Sequence, residues 1–227
     1  MTARLLALTG ILLVPLTAAV AQLPCSPCAA VRGGDPGRLA QQLRTAPGGE
    51  GAPVLAAWSV EAREAASVGP QVFTTLRATG AIPWPTLVFS SSAPIADHLD
   101  QLEAELVAVT ALAGDAGDGA VFQISWQTEA RPEPVEYAYL VKRAAVALVG
   151  ARPGATVVAG PLPLSVAWLE EFLTADVTAY VDGFVLTPAP IASLTRAVAV
   201  IRRAAPGRAV VIDALPLPGD SREALVS

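Results

Sequence analysis

Along almost its whole length the chain alternates between short apolar runs rich in Val, Ala and Ile and longer stretches of helical periodicity. The runs are Ala29–Arg32, Pro53–Ser59, Thr86–Ser90, Ala120–Trp126, Thr156–Gly160, Val181–Thr187 and Ala209–Ala214. Most are continuously apolar, the pattern of strands covered on both faces. Between them lie Gly37–Arg44, Val60–Thr79, Ile95–Ala113, Val135–Val149, Val166–Thr174 and Ile191–Ala204. Here apolar residues recur at helical spacing, as in Leu99, Leu102, Leu106 and Val109. Gly80, Gly119, Gly154 and Gly207 mark the passage from helix to strand. Pro153 and Pro206 stand beside two of them, since proline cannot continue a helix interior. Strict alternation of this kind implies parallel strands joined by right-handed crossovers. The expected fold is therefore α/β, a (β/α)8 TIM barrel of which about seven β/α units are visible, the last helix starting near Ser221. An open doubly wound sheet is the alternative. No G-x-G-x-x-G follows the first run and no P-loop pattern occurs, so the usual nucleotide signatures are missing and no cofactor is expected.

Composition bounds the function. The chain has 227 residues, 53 % of them hydrophobic, which allows one large domain with a sizeable core. The net charge is −5 and no Lys/Arg cluster occurs, so nucleic acid is not an expected partner. At the N-terminus Arg4, the apolar run Leu5–Leu16 and the small residues Ala19-Val20-Ala21 read as a signal peptide over residues 1–21. The run is short for a membrane span, which needs about 20 apolar residues. The expectation is a secreted or periplasmic domain over residues 22–227, with no membrane attachment after cleavage.

An exported chain permits a disulfide, and C-S-P-C places Cys25 and Cys28 near the mature N-terminus. Haem attachment would need His where Ala29 stands. Zinc would need more thiols than two, and the sole histidine, His98, is distant. A redox dithiol lacks its βαβ context. A local structural disulfide between Cys25 and Cys28 is the expectation.

The central third of the chain carries a more specific pattern. VFQISWQTE is followed by EYAYLVKRAAVALVGARPGATVVAGP, then WLEEFLTADVTAYVDGFVLTP, then IRRAAPGRAVVIDALP. This resembles the (β/α)8 glycoside hydrolases that use two glutamates, at the ends of strands 4 and 7. The likeness implies a carbohydrate ligand, bound at the C-terminal ends of the strands. It implies a site built from Trp58, Ser59, Ser90 to Ser92, Trp126 to Glu129, Pro161, Thr187 and Asp213. Trp58 and Trp126 would offer aromatic platforms to a sugar; the alternative is that they cap the barrel core.

The chain departs from the family where the chemistry lies. Glycosidases use two carboxyl groups, one as general acid. Matching Trp126 to the family tryptophan puts Thr128 at the glutamate position; matching the strand frame puts Gln127 there. Strand periodicity supports the second frame, because Gln123, Ser125 and Gln127 share one face and Phe122, Ile124 and Trp126 the other. Neither frame supplies an acid. On the likeness, Glu129 would act as acid/base and Asp213 as nucleophile, with Gln127 and Trp126 positioning sugar; the alternative for Glu129 is a solvated loop residue beside Arg131. The family glutamate of strand 7 is matched by Ala214. An acid inside an apolar run is costly unless paired or functional, so Asp213 is either the nucleophile or a buried structural carboxylate. Glu133 and Glu136 fit better in the first turn of a helix beginning at Pro134. His98 and Asp97 adjoin in sequence, a poor arrangement for a triad with Ser90 to Ser92. No His/Asp/Glu cluster has metal-ligand spacing. Two functions stay open: a barrel that binds and hydrolyses carbohydrate, and a non-catalytic relative that serves as a binding or scaffold domain.

Overall fold

The computed structural model describes residues 29–45, 54–90, 94–128 and 132–212. The signal segment, Cys25, Cys28, Glu129, Asp213 and the helix expected near Ser221 lie outside these residues. Seven strands alternate with six helices in the described chain. The strands are β1 (Ala29–Gly33), β2 (Val54–Glu61), β3 (Ala81–Phe89), β4 (Val121–Trp126), β5 (Thr156–Leu162), β6 (Gly183–Leu186) and β7 (Ala209–Ile212). The helices are α1 (Pro36–Thr45), α2 (Pro70–Ala78), α3 (Leu99–Ala116), α4 (Pro134–Ala151), α5 (Val166–Thr174) and α6 (Ile191–Ala204).

Every neighbouring pair of strands is parallel, and their order in the sheet is their order in the chain. All six helices contribute to one large core against one face, where Trp58, Leu87, Phe122, Ala159 and Phe184 meet them. The opposite face carries a smaller cluster built from strand residues alone: Leu55, Ala57, Trp84, Val121, Val158 and Val185. A doubly wound sheet would reverse its strand order at a switch point and carry helices on both faces. Sequential order with helices on one face is the winding of a (β/α) barrel, seen here over seven strands.

Three expectations need correction. The stretch Val60–Thr79 is not one helix: β2 runs on to Glu61, a 3-10 turn spans Ala62–Ser67, and α2 starts at Pro70. β3 starts at Ala81 rather than Thr86, although Pro83 and Pro85 stand within it. Proline removes ladder donors, and this half of β3 pairs with β2 alone; β4 joins it only from Thr86 onward. Leu99 belongs to no apolar stripe and is 45 % exposed, whereas Leu102, Leu106 and Val109 are buried.

The inner face is polar where β3, β4 and β5 meet. Gln123 is fully buried there. Its Oε1 accepts from Trp84 Nε1 at 3.1 Å and from the Thr86 hydroxyl at 3.3 Å. Its Nε2 donates to the Gly160 carbonyl at 3.0 Å. Gly160 sits in a register shift between Ala159 and Leu162, with φ of 140° and a cis bond to Pro161. A Cβ at this position would lie 2.4 Å from the Val185 carbonyl oxygen, so only glycine fits. On the outer side the Tyr137 hydroxyl donates to the Ile124 carbonyl at 2.6 Å, and the Gly160 N–H is turned toward it. Burial holds the Tyr137 phenol well above its ordinary pKa. Tyr137 also stacks on Trp126 and Phe172, and Trp168, stacked beside Phe172, donates from Nε1 to the Pro132 carbonyl at 2.7 Å.

Replacing Gln123 by leucine would strand Trp84 Nε1 and the Gly160 carbonyl in a dry interior. Each orphan costs about 1–3 kcal/mol. The expected loss is on the order of 2–5 kcal/mol, read as a lower urea midpoint; an unchanged midpoint would show that Gln123 holds nothing together.

Candidate functional site

The inner faces of β2, β3 and β4 change character along their length. Leu55 and Ala57 of β2 are buried, and two residues on Ser59 is exposed, so the interior opens to solvent at that level. Glu61 follows on the same face by strand alternation and is half-buried. On β4 the column runs Gln123, Ser125, Gln127; the first two are buried and Gln127 is exposed. The register sets these groups side by side. Thr86 pairs with Gln123, Val88 with both Glu61 and Ser125, and the Gln127 N–H continues the ladder to the Phe89 carbonyl at 2.9 Å. Ser90, just past β3, donates its hydroxyl to Glu61 Oε2 at 2.7 Å. The C-terminal rim of these strands is therefore a polar arc of Ser59, Glu61, Ser90, Ser125 and Gln127, in which Glu61 is the carboxylate among the described residues. Pro161 and Thr187 stand exposed at or just past the same ends of β5 and β6.

The two tryptophans proposed as sugar platforms are elsewhere. Trp58 is 1 % exposed and packs edge-on against Phe73 of α2, with ring centroids 5.7 Å apart. Trp126 is buried on the helix side of β4, stacked on Tyr137. Each follows strand alternation: its neighbour faces the interior, so it faces the helices. Both rings take the core-capping alternative, and neither offers a free face to a ligand. Of the other expected residues, Ser59, Ser90 and Gln127 come together at the rim, with half-buried Thr128 following Gln127. Glu133 and Glu136 flank the first turn of α4, and His98 precedes the first turn of α3.

Two carboxylates escaped the sequence reading. Glu61 looked like part of a helix. Glu105 lies on the apolar stripe of α3, between Leu102 and Leu106, where the spacing marks core. It is 2 % exposed; its Oε1 accepts from Gln101 Nε2 at 3.0 Å, and its Oε2 has no hydrogen-bond partner among the described residues. Burial raises its pKa, the Gln101 bond opposes this, Glu61 adds to it and Arg63 works against it. The signal was available: an acid at core spacing on an amphipathic helix.

The opposite end of the sheet is structural. Asp182 closes the starts of three strands there. Its N–H donates to the Val157 carbonyl at 2.7 Å, its Oδ2 accepts from the Val157 N–H at 2.8 Å, and its carbonyl accepts from the Ala209 N–H at 3.0 Å. A group at this end of a barrel serves stability rather than chemistry. Among the described residues no group of three or more His, Cys, Asp or Glu could hold a metal ion.

No family model matches this chain, and no curated protein does. Among solved structures it is similar to a family 39 glycoside hydrolase from the gut symbiont Bacteroides cellulosilyticus WH2, at 17 % identity and a TM-score of 0.46. The match covers 72 % of this chain and 38 % of that one.

Glu105 sets a pH dependence. Its folded pKa lies above the ordinary value of 4.5, so the native state holds the proton more tightly than the unfolded chain. Stability from this group is greatest below that value and falls as pH rises through the folded pKa. Glu105→Gln should remove the fall: chemical denaturation across acid to neutral pH should show the variant gaining on the parent as pH rises. A difference between the two that does not change with pH would sink this account.

Proposed function

We propose that this chain is a carbohydrate-binding barrel that takes its ligand at the C-terminal rim of β2, β3 and β4. The observation that carries this reading is the polar column of β4, ending in exposed Gln127 and flanked by Ser59, Glu61 and Ser90. Sugar hydroxyls both donate and accept, and amides and hydroxyls answer both needs. A few placed polar groups over a closed floor suit such a ligand; here the floor is the layer of Trp84, Thr86 and Gln123. The likeness of VFQISWQTE to strand 4 of the two-glutamate hydrolases points the same way.

Turnover is a separate matter. Gln127 has no proton to give as an acid. Hydrolysis would fall to Glu129 and Asp213; on the departures at Gln127, Thr128 and Ala214 we read the chain as a relative that binds without cleaving. Export is part of the proposal and rests on Arg4, the Leu5–Leu16 run and Ala19-Val20-Ala21.

A panel of soluble oligosaccharides tests the binding. Calorimetry should show a complex that Gln127→Ala weakens about five-fold, the loss of one neutral hydrogen bond, with no release of reducing ends. Reducing-end release that Glu129→Gln and Asp213→Asn both abolish would make the chain a glycosidase instead. Intact-mass measurement of protein from a secreting host should give a mature chain beginning at Gln22; an unprocessed Met1 terminus would remove the export proposal.

A further inference from the structure

One member of the rim differs from the rest in charge. Glu61 ends β2 on the inner face, and Ser90 at the end of β3 holds its Oε2. Among the described residues no arginine or lysine pairs with it: Arg63 lies next to Glu64, with Nε 3.9 Å from a carboxylate oxygen, and both are largely exposed. Beside it in the register Val88 is 3 % exposed, and one step below Thr86 is 3 % exposed, so a ligand approaches Glu61 from the rim. Among the described residues Ser90, on Oε2, is the hydrogen-bond partner of Glu61, which leaves Oε1 for a ligand.

We propose that Glu61 is the ligand-contacting carboxylate of this rim, that Ser90 positions it, and that it selects neutral hydroxyl-rich sugars over acidic ones. This rests on the carbohydrate-binding reading. An ionised carboxylate only accepts hydrogen bonds, and bonds from hydroxyls to it are charge-assisted and about twice as strong as neutral ones. A neutral sugar brings hydroxyl donors to Oε1. A uronic acid brings a second negative charge beside Glu61, with which no described arginine or lysine pairs. Like charges a few ångströms apart in a partly dry site repel strongly. Ser90 occupies Oε2 and leaves the plane of the carboxylate turned in one direction, so Oε1 meets the ligand in a set orientation. Ser59, exposed one step below, and Gln127 across the rim supply the further polar contacts that fix a ring.

Isothermal titration of the full chain decides this. The probes are xylohexaose, cellohexaose, mannohexaose and trigalacturonate, each against the parent, Glu61→Gln, Ser90→Ala and Ser90→Thr, with thermal unfolding run in parallel. The parent should bind at least one neutral hexasaccharide and leave trigalacturonate unbound. Glu61→Gln should weaken the neutral complex about ten-fold or more, the loss of a bond to a charged group. Ser90→Ala should weaken it less and Ser90→Thr restore it, with unfolding temperatures unmoved. Equal neutral binding by the parent and Glu61→Gln would overturn the proposal while leaving the carbohydrate reading intact. So would trigalacturonate bound as tightly as a neutral sugar. If Glu61→Gln lowers the unfolding temperature and leaves binding alone, the Glu61–Ser90 bond is only a tie between strands. A parent that binds none of the sugars removes the carbohydrate reading, and this proposal with it.

Discussion

A single buried amide, that of Gln123, holds the part of the molecule on which the rest depends. Parallel strands in a barrel fill their interior with side chains, and most of those here are apolar. At the level of Gln123 the interior is polar and dry. That is tolerable only because its amide meets three partners on β3 and β5. The bond to Gly160 needs a carbonyl turned inward out of β5, and the backbone turn there needs glycine. The same turn points the Gly160 N–H outward to Tyr137, whose hydroxyl also satisfies Ile124. One local departure from regular strand geometry thus fastens β4 to β5 on the inner side and to α4 on the outer side.

The rim inherits its form from this fastening. With β4 held in register, Ser125 and Gln127 stand above Gln123 on the same face. The pairing of β3 with β2 then brings Ser90 within reach of Glu61. The aromatic layer does the complementary work on the outside. Trp126, Tyr137, Phe172 and Trp168 stack between β4, α4 and α5, and Trp168 reaches the Pro132 carbonyl ahead of α4. The tryptophans are spent on packing, and the site is left with hydrogen-bonding groups.

The fold was legible because its evidence is local. Helices α5 and α6 run over the residues expected from their periodicity. The strands were recognised from apolar runs, with errors where a second signal competed: the prolines of β3 hid its first half, and the helical spacing of Val72, Phe73 and Leu76, which belongs to α2, drew the expected helix back to Val60. The site was legible in part. Ser59, Ser90 and Gln127 were expected at the strand ends and are there. For Trp58 and Trp126 two readings stood open, sugar platform or core cap, and alternation already set Trp126 on the face opposite Gln127. Strand residues adjacent in sequence cannot both line one interior.

From the sequence alone follow the α/β class, the parallel strands and the absence of an acid at Gln127 and Thr128. Each of these is written in periodicity or in the identity of single residues. The helices' restriction to one face, the partners of Gln123, the burial of Glu105 and the meeting of Glu61 with Ser90 were decided by tertiary structure. Glu61 and Ser90 lie 29 residues apart, and only the register between β2 and β3 makes them neighbours. Register is set by which side chains pack across the whole sheet, and that depends on every strand at once.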